Sequence, residues 1–173
     1  KFEKGVEYFF NLFSKRKELI TLNRHNKNDK TDNHVIKPIF IIGVPRCGST
    51  LIEKIIASGS QYIPIGEETG IIHAVVKNLI NQKQSLNLDI DQFQTKIVGI
   101  CKQKGLVQEE SNYMFTDKSL ENFFYIDIIK EIFPQAKVIN CRRNVISSIM
   151  STLKNNLFTL PWAHNLEHIF KYY

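Results

Sequence analysis

The sequence predicts an α/β fold in which a parallel sheet is flanked by helices, and three observations predict it. Pro38-Ile39-Phe40-Ile41-Ile42-Gly43 is a short, continuous apolar run, as expected of a strand buried on both faces. Gly43 to Gly48 then reads as a tight loop leading into a helical pattern. From Tyr113 to Leu153, strand and helix patterns alternate, which is the signature of parallel strands joined by crossover helices.

Along the chain, residues 1–22 read as an amphipathic helix with Phe2, Val6, Phe9, Phe10 and Phe13 near one face. Lys15-Arg16-Lys17 lies beyond as a solvated run. Asn23 to Asn33 is polar and without period, so it reads as a linker. This divides the chain into a leader, residues 1–35, and a domain, residues 36–173. After the Pro38–Gly43 strand, Ser49 to Ser58 is helical, with Leu51, Ile52, Ile55 and Ile56 on one side. Tyr62 to Ile65 reads as a second short strand, Glu67 to Ile80 as a helix, and Asp89 to Lys104 as another, with Ile90, Phe93, Ile97 and Ile100 in phase. Tyr113–Thr116 is a strand and Leu120 to Phe133 a helix, with Phe124, Ile128 and Ile132 four apart and Pro134 as its stop. Lys137–Cys141 is the next strand, Val145 to Leu153 the next helix, and Leu160 to Tyr173 a helical tail.

Composition narrows the function classes. A chain of 173 residues, 43% hydrophobic and 23% charged, can bury a core, which excludes a disordered tail; 8 Gly and 5 Pro exclude collagen and linker sequences. No apolar run approaches the roughly 20 residues of a membrane span. Lys1 is not Met and no signal pattern follows it, so the reading is a piece of a longer chain. Cys47, Cys101 and Cys141 are too few and too widely spaced for a disulfide framework, which points to a reducing, cytoplasmic setting. Of the net charge of +6, residues 1–37 carry nine basic against five acidic residues (+4) and residues 38–173 carry fourteen against twelve (+2). The body is close to neutral, so the charge does not imply a nucleic-acid partner.

The most informative segment is Gly43-Val44-Pro45-Arg46-Cys47-Gly48-Ser49-Thr50. A loop between a buried strand and a helix start offers backbone N–H groups and the positive helix end to an anion. The spacing matches the nucleotide triphosphatase loop, Gly-x4-Gly-Lys-Ser/Thr, but Ser49 stands in the lysine position. Without that lysine the loop is poorly equipped for a β/γ-phosphate pair. Arg46 offers instead a planar fork to a single phosphate or sulfate. The plainer alternative is a βα turn with no ligand.

Residues 38–51, Pro-Ile-Phe-Ile-Ile-Gly-Val-Pro-Arg-Cys-Gly-Ser-Thr-Leu, resemble the 5′-phosphosulfate loop of sulfotransferases that use 3′-phosphoadenosine 5′-phosphosulfate (PAPS), usually Pro-Arg-Ser-Gly-Thr-Thr-Leu. Gly66-Glu67-Glu68-Thr69 is similar to the Gly-Glu-Glu-Thr of tyrosylprotein sulfotransferases. Thr116-Asp117-Lys118 and the Phe133–Arg143 segment resemble the Asp-Lys and Phe-Pro…Cys-Arg-Arg-Asp segments of bacterial relatives, which often follow tetratricopeptide repeats. The resemblance covers residues 36–173, with four motifs in family order. It implies a P-loop-like parallel sheet that continues beyond Tyr173 into a C-terminal part with adenine contacts.

By position, the resemblance implies that Arg46, Cys47, Gly48, Ser49 and Thr50 cradle the 5′-phosphosulfate. Glu68 matches the general base, Lys118 the lysine that neutralises the bridging oxygen, and Arg143 with Ser151 the pair that binds the 3′-phosphate. PAPS would be the co-substrate, with no metal. The acceptor would carry a hydroxyl on a peptide tyrosine, glycan, lipid or small alcohol. Independently, Lys118 and Arg143 fall just past the ends of two strands and the Arg46 loop follows a third, and such ends share the edge where ligands bind in an open α/β sheet.

Each residue also has a plainer reading. Glu67 and Glu68 suit the first turn of a helix, and Glu67 is the alternative base. Lys118 suits a solvated turn whose Asp117 or Ser119 caps the next helix. Arg142 and Arg143 cannot point the same way on a strand, and Ser147, Ser148 and Ser151 include ordinary helix-surface serines. Asn144 replaces the family's acid, which loosens Arg143, and Cys47, at a helix start, reads as an oxidisable thiol. His164 and His168 read as a surface pair rather than a metal site. Trp162 either packs in the core or borders a substrate. Two competing classes remain: a nucleotide kinase or triphosphatase, told apart by ATP turnover, and a non-catalytic transferase-like module, told apart by nucleotide binding without transfer.

Overall fold

The computed structural model of the chain describes residues 2–23, 36–81, 86–107, 114–155 and 157–173. Its centre is a three-stranded parallel sheet of β2 (Ile39–Gly43), β4 (Thr116–Asp117) and β5 (Lys137–Cys141), in the order β4-β2-β5. All five residues of β2 are buried, as its unbroken apolar run requires of a middle strand. Ile39 pairs with Thr116 on one side and Lys137 on the other, and Gly43 with Cys141. The three strands are parallel, so their carboxyl ends share one edge.

Alternate β2 residues enter different cores. Phe40 joins a large cluster with Val75, Val76, Phe93, Ile97, Ile128, Ile129 and Phe133, supplied by α3 (Ile71–Asn81), α4 (Ile90–Gln103) and α5 (Ile126–Ile132) with its flanking Phe133. Ile41 faces Cys47, Cys141 and the half-buried Ile52 and Ile56 of α2 (Ser49–Ala57). Helices therefore cover both faces. A third cluster joins Ile149 of α6 (Val145–Lys154), Trp162, and Ile169 and Tyr172 of α7 (Leu166–Tyr172). Trp162 is a core residue: it is wholly buried and stacks on Tyr172 with ring centroids 3.6 Å apart. α1 (Phe2–Leu19) packs onto the body through buried Val6 and Leu12, with Phe9 against Trp162 and Tyr172. The side chains of Phe2, Phe13 and the Lys15–Lys17 run lie outside the described residues.

Several elements differ from the sequence expectation. The leader helix stops at Leu19, and β1 (Ile20–Asn23) pairs in parallel with β3 (Leu86–Asp89), a contact between segments far apart in sequence. The linker expected over residues 23–33 lies outside the described residues, except for Asn23. Tyr62–Ile65 is not a strand: Pro64 has no N–H to donate, and its carbonyl only accepts one bond from Thr116 N–H at 3.0 Å. α3 starts at Ile71 rather than Glu67, because Gly66–Gly70 is a loop in which Glu67 and Gly70 both have positive φ. The strand expected over Tyr113–Thr116 forms only at Thr116–Asp117, and Tyr113 lies outside the described residues. The helix from Leu120 begins as a 3-10 helix, Leu120–Tyr125, before α5. The C-terminal tail is likewise split, into a 3-10 turn (Pro161–His164) and α7. On α2 the inward stripe is the buried Ser49 and Glu53 with the half-buried Ile52 and Ile56, at i, i+4, i+3 and i+7, while Leu51 and Ile55 are exposed.

Candidate active site

The loop from β2 to α2 is bent by two left-handed residues, Arg46 (φ 69°) and Gly48 (φ 95°). Gly48 is the N-cap of α2 and brings no side chain to the first N–H groups of the helix, which are left to other acceptors. Within the loop Arg46, Gly48 and Thr50 are exposed, whereas Cys47 and Ser49 are buried. Cys47 is thus not presented to solvent; it borders the space beside Gly43 that Cys141 also lines. Burial and the neighbouring Cys47 push the Cys141 thiol above its ordinary value. Behind the loop, the Tyr173 hydroxyl reaches the Pro45 carbonyl at 3.5 Å.

On the β5 side, three of the expected residues come together. Arg143 Nη1 donates to the carbonyl of Arg46 at 3.4 Å, and Arg46 Nε donates to Ser151 Oγ at 3.0 Å. Asn155 Nδ2 also donates to Ser151 Oγ, at 3.3 Å, and to the Ser151 carbonyl at 2.7 Å. With two donors on its oxygen, Ser151 has its own hydroxyl proton left to offer an anion. Asn144 is the N-cap of α6 and accepts from Ser147 N–H at 3.0 Å, a role its short polar side chain performs as well as an aspartate would. Ser148 is buried and Ser147 exposed, which leaves Ser151 as the serine of α6 beside the loop.

On the β4 side, Lys118 is not a solvated turn residue: it is buried, with Nζ 3.1 Å from Glu68 Oε1. Glu68 itself is 70% exposed at its side chain and open to an incoming molecule. Neither Glu67 nor Glu68 lies in the first turn of α3. The loop that carries them is laced to the end of β4. Lys118 N–H donates to the Glu67 carbonyl at 2.7 Å, Thr69 Oγ1 to Asp117 Oδ2 at 2.6 Å, and Gly70 N–H to Ser119 Oγ at 2.9 Å. A Cβ on Gly66 would overlap the Thr116 carbonyl, so this close approach requires glycine. Glu121, in the following 3-10 helix, has its carboxyl raised above the ordinary value of 4.5, first by burial and then by the charge of Glu68.

Sequence reasoning did not find Asn155, Glu121 or Glu53, which is described below. The i, i+4 spacing would have found Asn155; the other two depend on contacts across the fold. The two clusters sit on either side of the β2 loop, on strands about 10 Å apart as second neighbours in a sheet. His164 and His168 belong to different elements, and the described residues contain no group of three or more side chains that could hold a metal ion.

A parallel α/β domain whose central strand feeds a helix start without a side-chain cap, with cationic side chains at the same edge, has the chemistry that suits a phosphate or sulfate ester. The chain belongs to the Sulfotransferase family, whose profile matches residues 38–171. It is also 28% identical, over 147 residues and 77% of its length, to an uncharacterized protein of Aquifex aeolicus (strain VF5). The chain spans 19% of that relative's length. No described helix is long and apolar enough to cross a membrane.

Proposed function

We propose that this domain transfers a sulfuryl group from PAPS to an acceptor hydroxyl by in-line displacement. The observation that carries the reading is the buried Lys118, held against the exposed Glu68 at the sheet edge where the anion loop ends. The donor set fits the co-substrate: the uncapped start of α2 and Arg46 suit a phosphosulfate, and Arg143 with the Ser151 hydroxyl suits a phosphate dianion. Glu68 takes the proton of the acceptor hydroxyl as its oxygen bonds to sulfur. Lys118 neutralises the bridging oxygen, which keeps the electron pair of the breaking S–O bond, while Arg46 holds the phosphosulfate. Such a transfer needs positioning and charge neutralisation more than covalent help from the protein. Ser49, in place of a loop lysine, argues against a β/γ-phosphate ligand and so against a kinase.

The reading extends to organisation. Residues 1–35 form a leader and 36–173 the transferase domain, supported by a family match that begins at residue 38. The full-length protein carries tetratricopeptide repeats before it, by resemblance to the bacterial relatives. It works in a reducing, cytoplasmic setting, in keeping with three unpaired cysteines. The test is transfer of label from PAPS by the full-length protein to pools of peptide, glycan, lipid and small-alcohol acceptors. Labelled product from one pool is expected; ATP turnover with no PAPS turnover would refute the reading.

A further inference from the structure

α2 turns one acid inward. Glu53 is 1% exposed, one turn past the anion-binding start of the helix. A buried carboxylate is unfavourable unless its oxygens are hydrogen-bonded. Glu53 Oε1 accepts from the Thr116 hydroxyl at 2.6 Å and from Glu67 N–H at 3.1 Å. Those two donors lie on the two segments that carry the acid and the cation: Thr116 is two residues before Lys118, and Glu67 directly precedes Glu68. Glu67 has φ 52°, a left-handed conformation that a non-glycine residue keeps only when its surroundings hold it. Glu53 holds its N–H, and Lys118 N–H holds its carbonyl at 2.7 Å. Thr116 Oγ1 in turn accepts from Gly66 N–H at 3.1 Å, so one carboxylate oxygen anchors both sides of the loop-to-strand junction.

We propose that Glu53 is a positioning residue for sulfuryl transfer: from the helix that begins at the anion loop, it fixes the backbone on which Glu68 meets Lys118. The inference rests on the sulfotransferase reading above. The role asks for an oxygen with two lone pairs, which a glutamine carbonyl also supplies. An apolar residue would leave the buried Thr116 hydroxyl and the part-buried Glu67 N–H without this acceptor, and the left-handed turn at Glu67 would lose a restraint.

The test compares Glu53→Gln, Glu53→Leu and Thr116→Val in the full-length protein. Three quantities are read: kcat for label transfer, the Kd of 3′,5′-adenosine bisphosphate by calorimetry, and amide exchange over residues 66–69. Glu53→Leu should lower kcat at least about tenfold, the effect of unpairing a buried donor at the reacting pair. Its Kd should stay within about threefold, since transition-state positioning rather than ground-state binding is lost. Exchange over 66–69 should rise. Glu53→Gln should restore all three, and Thr116→Val, which removes one of the two donors, should lower kcat with Kd kept even if the leucine variant does not fold. Wild-type kcat in Glu53→Leu, unchanged exchange, or Kd and kcat lost together without rescue by glutamine would overturn the inference. If the wild type transfers nothing while exchange still rises in Glu53→Leu and recovers in Glu53→Gln, the sulfotransferase reading falls and the role of Glu53 in holding the loop stands.

Discussion

Replacing Arg143 with alanine is expected to remove most of the preference for a nucleotide bearing a 3′-phosphate. Among the described residues, Arg143 reaches the loop through Nη1, 3.4 Å from the Arg46 carbonyl, a long bond that engages one corner of the guanidinium fork. Beside it, the Ser151 oxygen accepts from Arg46 Nε and Asn155 Nδ2, which leaves its own proton to donate. A hydrogen bond to a charged group contributes about 1.5–3 kcal/mol. Arg143 is exposed and partly screened by salt, which places its share at the lower end, about tenfold in affinity. The wild-type protein should therefore bind 3′,5′-adenosine bisphosphate at least about tenfold more tightly than AMP, and Arg143→Ala should bind the two nearly equally. Calorimetry at fixed ionic strength, on full-length protein, measures both. Equal affinities in the wild type would refute the assignment, because a kinase-like site has no reason to distinguish the ribose 3′ position.

Arg46→Ala should abolish transfer, at about 3–4 kcal/mol in barrier for loss of an oxyanion-type donor, and near wild-type turnover would remove Arg46 from the reaction. Glu68→Gln should stop turnover with nucleotide affinity retained, whereas Glu67→Gln should be mild, since only the backbone of Glu67 is tied into the site; the reverse result in steady-state kinetics would shift the base by one residue. Glu121→Gln should stabilise the fold at neutral pH. The folded-state carboxyl is raised above its unfolded value of 4.5, so the wild type loses stability as pH climbs from there through the folded pKa. The difference in melting temperature should vanish below about pH 4, and a pH-independent difference would refute the cause.

What was legible in the sequence were the features written in neighbouring residues. β2 follows from its continuous apolar run and α4 from the period of Ile90, Phe93, Ile97 and Ile100, because burial of a middle strand or of a helix face is a local pattern. The Gly43–Thr50 loop and the placement of Lys118 and Arg143 after strands were readable for the same reason. Pairings across the chain were not. Nothing near Ile20 announces a partner at Leu86, and nothing beside Glu53, between Ile52 and Lys54, announces its donors at Glu67 and Thr116.

The sequence by itself thus determined the parallel α/β class, the loop from β2 into α2 and the residue types placed in it. Tertiary structure decided which side chains meet: Arg46 with Ser151 over 105 positions, Lys118 with Glu68 over 50, and Thr116 with Glu53 over 63. It also decided that the Gly-Glu-Glu-Thr segment is a loop rather than a helix start. The reason is energetic. Hydrophobic period is set within a turn or a strand, whereas a buried carboxylate or a left-handed glutamate is tolerable only where distant donors satisfy it, and only the folded chain brings those donors within reach.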